Sequence, residues 1–221
     1  MALSISLVIS LVGSSAPAAA DNSCAQGQAE AAALRVQGRY EGIRDLEADF
    51  EQESESASFA GAPLMDGDTK SGRVVFLKPG KMRWVYAAPH ESVVVSDGET
   101  LWIHDVAGQT ATRLEVTQGY LSGAAVQFLL GDGKILEEYT VSATECSEER
   151  VTLDLLPKQD ATYERLGLVS DPKTGDIIET SLVDLFGNKT VIRFLAMKVN
   201  QGPDASVFAF EAPEGVEVIL Y

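Results

Sequence analysis

Few side chains in this sequence form a pattern that could do chemistry. His90 and His104 are its only imidazoles, and neither has a metal-ligating residue at helical or hairpin spacing. No glycine-rich phosphate loop, nucleophile elbow or zinc-ligand spacing occurs in the chain. The many Asp and Glu residues could bring two carboxylates together, but a solvated acidic surface explains them more simply. The sequence therefore predicts no catalytic residue, no metal site and no cofactor, which makes an enzyme the less favoured class.

The large apolar side chains favour binding instead. Between Gly72 and Asp105, four short alternating runs are separated by turn residues, a pattern typical of antiparallel hairpins. Because successive strand residues point to opposite faces, Met82, Trp84 and Tyr86 share one face of a strand. These residues predict a broad apolar inner surface, which is either an ordinary core or a cavity for an apolar ligand.

Two helical segments could cover such a surface. From Ala29 to Arg44 the apolar residues recur at spacings of three and four, which predicts an amphipathic helix. Its apolar stripe consists of Ala29, Ala33, Val36, Tyr40 and Ile43. A second short segment, Ser122 to Leu130, is apolar nearly all round and must be buried or face an apolar partner.

The rest of the chain alternates with period two. Leu46, Ala48 and Phe50 share one face of a first strand that directly follows the first helix. Further strands are predicted at Thr110–Val116, Glu138–Ala143, Val151–Leu156, Tyr163–Ser170, Ile177–Asp184, Lys189–Val199 and Val216–Leu220. We therefore expect a mainly β fold of roughly ten or eleven antiparallel strands in a single domain over residues 21–221.

The net charge and the N-terminal segment indicate in which compartment the protein acts and which partners are disfavoured. The formal net charge of −16 argues against a nucleic-acid partner, because binding to phosphates needs a basic surface. Residues 1–20 carry no charge and end in Ala18-Ala19-Ala20, as in a secretory signal peptide. The polar residues at positions 21–23 do not form a lipobox before Cys24, so we expect an exported protein without a lipid anchor.

Cys24 and Cys146 are the only two cysteines. Outside the cytoplasm an even number of cysteines favours a disulfide, and two unpaired thiols are the alternative. A bond between them would tie the start of the mature chain to its middle.

Several stretches, in this order along the chain, resemble the LolA family of periplasmic outer-membrane lipoprotein carriers. They are residues 36–40, 43–52, 78–84, 96–98, 101–102, 208–210 and 213–216. The resemblance implies an unclosed antiparallel β half-barrel of about eleven strands, with an α-helical lid over a hydrophobic cavity. It also implies a non-enzymatic chaperone that acts in the periplasm, as a monomer.

The resemblance further implies partners and site residues. Triacylated lipoproteins would be taken from an inner-membrane ABC transporter of the LolCDE type and passed to an outer-membrane receptor of the LolB type. The expected cavity lining is Val36, Tyr40, Ile43, Phe50, Phe76, Met82, Trp84, Leu129 and Leu130. Lys78 stands where the family typically has an arginine that holds the lid, so a latch here should be weaker or differently placed.

Two alternative functions predict other features of the sequence. If the chain were a LolB-like receptor or lipid sensor on the same half-barrel, we would expect a lipid anchor. The missing lipobox argues against this alternative. A secreted hydrolase predicts a Ser, a His and an acid brought together in the fold.

Overall fold

The computed structural model describes residue 24 and residues 26–57, 69–116 and 134–221. The predicted signal peptide, the apolar segment from Ser122, and Leu129 and Leu130 lie outside the described residues. A long helix, a short helix, twelve strands and one 3₁₀ turn make up the described part. In chain order they are α1 (Gln26–Glu41), β1 (Asp45–Glu55), β2 (Lys70–Leu77), β3 (Lys81–Tyr86), β4 (Ser92–Asp97), β5 (Thr100–Asp105), β6 (Thr110–Glu115), α2 (Ile135–Glu138), β7 (Tyr139–Cys146), β8 (Val151–Pro157), β9 (Tyr163–Ser170), β10 (Ile177–Asp184), β11 (Lys189–Val199), the 3₁₀ turn (Ala205–Phe208) and β12 (Glu217–Leu220).

All twelve described strands belong to one unclosed sheet, in the order β12-β6-β5-β4-β3-β2-β1-β11-β10-β9-β8-β7. Two antiparallel meanders, β1 to β6 and β7 to β11, meet where β1 pairs with β11. The expected mainly β half-barrel is confirmed. At one edge, however, β12 runs parallel to β6, where the sequence predicted only antiparallel neighbours.

The sheet has an inner face that carries the main core and an outer face. On β3, Met82 and Trp84 are 6% exposed whereas Val85 beside Trp84 is 38% exposed, so the alternation predicted for this strand is confirmed. Leu46, Ala48 and Phe50 of β1 are likewise buried. The inner face is thus apolar across both meanders, with Leu153 and Leu168 contributing from β8 and β9.

Helix α1 lies against β7, β8 and α2. Ala29, Ala33, Val36 and Tyr40 of the predicted stripe are buried in it, so the amphipathic prediction is confirmed. The helix ends at Glu41 and not at Arg44, because Gly42 follows and the backbone N–H of Arg44 donates to the side chain of Asn200 instead. Ile43, beyond the helix, is still buried at 3% exposure.

The C-terminal segment covers the outer face of β3, β4 and β5. Phe208 is buried there, and the ring of Phe210 lies 5.2 Å from that of Trp102 and 5.6 Å from that of His104. Arg83 donates from Nη1 to the carbonyl of Val207 over 3.2 Å. The segment crosses this face before it reaches the sheet edge, which is why β12 arrives parallel to β6.

A disulfide joins Cys24 to Cys146, with the two Cα atoms 5.7 Å apart. Cys146 is the last residue of β7, and Cys24 lies two residues before α1. The N-terminal end of α1 is therefore covalently fixed to one edge strand of the sheet.

Removal of this bond should destabilise the fold. It closes a loop with a sequence separation of 122 residues, so a Cys24→Ser, Cys146→Ser variant should lose about 2–5 kcal/mol of unfolding free energy. Urea titrations of the variant and of the wild type, each with and without a reductant, measure the loss. The reductant should destabilise only the wild type. Equal unfolding free energies of the wild type and the variant without reductant would contradict the prediction.

Candidate ligand site on the inner face

Seven of the nine residues predicted to line a cavity are described, and the structure brings all seven into one buried cluster. They come from α1, β1, β2, β3 and the turn after α1, and each is at most 6% exposed: Val36, Tyr40, Ile43, Phe50, Phe76, Met82 and Trp84. The same cluster takes in residues of the second meander that the sequence reasoning missed, among them Val141, Leu153 and Leu155. Their alternation was visible in the sequence, but it could not say that these strands face α1.

Aromatic rings form the centre of this face. The ring of Phe50 lies edge-on to Trp84 at 4.8 Å and to Tyr86 at 5.1 Å, while the hydroxyl of Tyr86 donates to Gln52 over 2.9 Å. A Cβ added at Gly72 would clash with the backbone carbonyl oxygen of Val85 and come within 2.9 Å of the Phe50 ring, so only glycine fits between β3 and this ring. The centre of the inner face is therefore a cluster of closely packed aromatic rings.

The apolar inner face continues into a partly exposed region on β4 and β5. Trp84 is paired with Val94, and Val94 is paired with Ile103, so all three side chains share the inner face. Val94 is half-buried and Ile103 is 40% exposed. An apolar surface therefore runs from the core to solvent, and the sequence prediction had omitted both of these residues.

Polar contacts hold α1 over the face. Lys78 donates from Nζ to the carbonyl of Tyr40 over 2.7 Å, and the Gln37 side chain accepts a hydrogen bond from the backbone N–H of Ile135. A Cβ at Gly175 would meet the Arg35 carbonyl at 2.8 Å, so the turn before β10 also approaches the helix backbone closely. The ammonium of Lys78 thus reaches the last turn of α1, where the resemblance implied a latch.

Tyr40 links the helix to β10 through its hydroxyl. The group accepts from the backbone N–H of Ile177 over 3.1 Å and lies 3.9 Å from the sulfur of Met197. Burial of the ring, the largest of several causes, raises the pKa of Tyr40 to about 12, so the hydroxyl is neutral. Burial also raises the pKa of Tyr139 and of Tyr163, whose hydroxyls lie 2.8 Å apart in the same cluster.

The structure places the two histidines apart from each other and from the inner face. His104 is packed beneath Phe210 on the outer face, and His90 is half-buried in the turn between β3 and β4. Among the described residues, no group of three or more His, Cys, Asp or Glu side chains could hold a metal ion. Nor does the described part contain a helix long and apolar enough to cross a membrane.

An unclosed sheet with a large apolar inner face and a helix laid over it defines the protein as a half-barrel of the kind that binds apolar ligands. The family model of the outer membrane lipoprotein carrier protein LolA matches residues 41–211. The chain belongs to this family of lipoprotein carriers, as its sequence motifs predicted. The prediction of a carrier, in place of an enzyme, is confirmed by the same membership.

Individual relatives agree with the family assignment. The outer-membrane lipoprotein carrier protein of Cupriavidus pinatubonensis is 32% identical over 190 residues, covering 86% of this chain and 87% of that one. That of Chromobacterium violaceum is 33% identical over 208 residues, covering 92% and 94%. A solved structure of an uncharacterized conserved protein from Thermus thermophilus shares the fold, with a TM-score of 0.50 and 11% identity over 87% of this chain and 99% of that one.

The shifted pKa of Tyr40 predicts a loss of stability in alkali. In the unfolded chain the group titrates near 10, and in the folded chain near 12, so between these pH values the unfolded state binds fewer protons. The unfolding free energy should therefore fall as the pH rises through this window, by up to about 2 kcal/mol from Tyr40. Urea titrations at several pH values measure the fall.

A Tyr40→Phe variant should lose less stability over the same window than the wild type. Tyr221→Phe, at a tyrosine that is 81% exposed, is the matched control and should follow the wild type. Equal pH dependence in Tyr40→Phe and the wild type would refute the assignment.

Proposed function

We propose that this protein holds the acyl chains of triacylated lipoproteins against its inner face and carries them through the periplasm. The observation that carries the proposal is the continuity of the apolar inner face, which runs from buried Trp84 to the 40% exposed Ile103 on one side, while α1 covers the part on β7 and β8. In this reading Val36, Tyr40, Ile43, Phe50, Phe76, Met82 and Trp84 line the cavity once α1 has moved. Leu129 and Leu130 remain lining candidates from the sequence.

The strength of acyl binding limits how such a carrier can work. Burial of one chain of about 16 carbons would contribute roughly 12 kcal/mol, at about 0.8 kcal/mol per methylene. Three fully buried chains would therefore never be released. A face that is packed at Phe50 and Trp84 but partly open at Val94 and Ile103 covers the chains incompletely, and the flexible side chain of Met82 can adapt to them.

The donor and the acceptor that we propose are those that the sequence resemblance suggested. The cargo would come from an inner-membrane ABC transporter of the LolCDE type and pass to an outer-membrane receptor of the LolB type. The disulfide between Cys24 and Cys146 suits an oxidising compartment such as the periplasm. It also argues against lipid attachment at Cys24, since a sulfur bonded to Cys146 cannot carry a lipid, and so it disfavours the LolB-like alternative.

Helix α1 is the proposed lid. The disulfide fixes its N-terminal end to β7. At its C-terminal end Lys78 donates to the carbonyl of Tyr40, just before the chain continues through residues 42–44 into β1. Lys78 acts as the latch in place of the family arginine, through a single ammonium rather than a planar guanidinium.

A charge on the open part of the inner face should abolish cargo binding. Ile103→Glu places a carboxylate beside Val94 on the face that Trp84 shares and should reduce the copurified triacylated lipoprotein at least about tenfold, because a buried unpaired charge is costly. Val85→Glu is the matched control, since Val85 is 38% exposed on the outer face of a nearby strand. Mass spectrometry of the tagged, coexpressed complexes measures the stoichiometry, and equal retention by both variants would overturn the proposed site.

Loss of the latch should loosen the end of α1. Lys78→Met removes the hydrogen bond to the Tyr40 carbonyl, and with it about 1 kcal/mol of local stability. Amides of residues 36–41 should then exchange faster with deuterium, roughly fivefold for that energy. Lys198→Met, at an exposed position of β11, is the control and should leave the exchange unchanged. Similar exchange rates in the two variants would rule out the latch.

A further inference from the structure

Strands β10 and β11 separate along part of their length. They pair from Val183 and Lys189 to Glu179 and Arg193, and the described strands do not pair with each other beyond that point. On its other edge β11 pairs with β1 along its whole length, from Lys189 to Val199, with an irregularity in the register opposite Ala196. Beyond Arg193, the edge of β11 that faces β10 is therefore without a described strand partner. The sheet therefore has a cleft within it, bounded by the start of β10 and the end of β11.

The cleft has mostly apolar walls and a volume of about 220 Å³. Its lining consists of Arg39, Asp176, Ile177, Ile178, Phe194, Met197 and Val199. Ile177 and Phe194 belong to the buried cluster of the inner face, whereas Ile178 is 42% exposed. The lining of the cleft thus includes a solvent-exposed apolar side chain, Ile178, as well as two residues of the buried cluster.

The last turn of α1 lies against this cleft. The Tyr40 hydroxyl bonds to the backbone of Ile177 on one wall and contacts Met197 on the other. Beside it, Arg39 Nε and Asp176 Oδ1 form an ion pair of 2.6 Å, and both side chains are about one-third exposed. These contacts lie at the end of α1 opposite the disulfide, so they would have to break before the cleft could open towards the inner face.

We propose that the cleft between β10 and β11 is a lateral portal for one alkyl chain of the bound lipid, closed by Tyr40 and by the pair Arg39 and Asp176. This inference rests on the proposed carrier function. Its volume lies below the roughly 300–1,000 Å³ of typical small-molecule pockets, which suits a single slender chain. A protein partner or a second copy needs about 800 Å² of surface per partner, far more than this opening presents.

A chain in the portal would be only partly covered, and that assists transfer. One part of the chain would contact Ile177 and Phe194, while its remainder would lie beside the exposed Ile178. An acceptor could then engage this chain while the other chains remain on the inner face. Release would proceed one chain at a time and would avoid the full cost of exposing three chains to water.

Site-specific photo-crosslinking tests the portal. The photoreactive residue p-benzoylphenylalanine replaces Ile178 in the portal, Ile103 on the inner face, or Leu156, an outer-face residue of β8 that is 45% exposed. Each protein is purified with its coexpressed triacylated lipoprotein, irradiated, and analysed by mass spectrometry for adducts on the acyl chains. Adducts are expected at positions 178 and 103 and not at 156.

The outcomes separate the two proposals. Adducts at 103 alone, with cargo still bound to the variant at 178, would overturn the portal and leave the carrier function standing. A protein that retains no lipoprotein in any variant would overturn both. Equal adducts at 178 and 156 would show unspecific surface contact and would also overturn the portal.

A second variant tests the closure without altering the cleft walls that contact the alkyl chain. Arg39→Gln with Asp176→Asn removes the ion pair, and transfer of cargo to acceptor vesicles should become about two- to fivefold faster, the range for a partly exposed pair. Arg150→Gln with Glu145→Gln, which removes a 2.9 Å pair at the end of β7, is the control and should not change the rate. An unchanged rate in the first variant would contradict the closure.

Discussion

The packing of α1 against the inner face is the contact on which the rest of the structure depends. A sheet that does not close leaves its apolar inner face without a second layer, and burial of that face is the main driving force for the fold. The stripe that includes Ala33, Val36 and Tyr40 supplies part of this layer from α1. The same contact therefore both stabilises the fold and covers part of the apolar inner face.

The two ends of α1 are held by interactions of very different strength. At the N-terminal end, a covalent bond from Cys24 to Cys146 fixes the helix to β7. At the C-terminal end, Lys78, Asp176 and Ile177 hold it through hydrogen bonds and an ion pair, each of which contributes at most a few kcal/mol. The polar contacts at the C-terminal end lie beside the cleft between β10 and β11, next to the point where the chain passes from α1 into β1.

The sheet edges and the outer face are protected separately from the inner face. β12 pairs with β6 at one edge, so the backbone groups of β6 have partners there, while at the other edge β7 lies against α1 and α2. On the outer face, Phe208 and Phe210 form a small second core with Trp102 and His104. The outer face thus has apolar packing of its own, separate from the large cluster on the inner face.

The sequence by itself determined where the helices and strands lie and which side of each is apolar. The bounds of β3, β9, β10 and β11 follow from period-two alternation and turn residues, and the face of α1 follows from its 3.6-residue period, because both signals are local. Only the tertiary structure decided which distant residues meet. The even number of cysteines had favoured a disulfide, but the parallel pairing of β12, the contact of Lys78 with Tyr40 and the ion pair of Arg39 with Asp176 all join residues far apart in the chain. No local pattern encodes such distances, because they depend on how the whole sheet curves around α1.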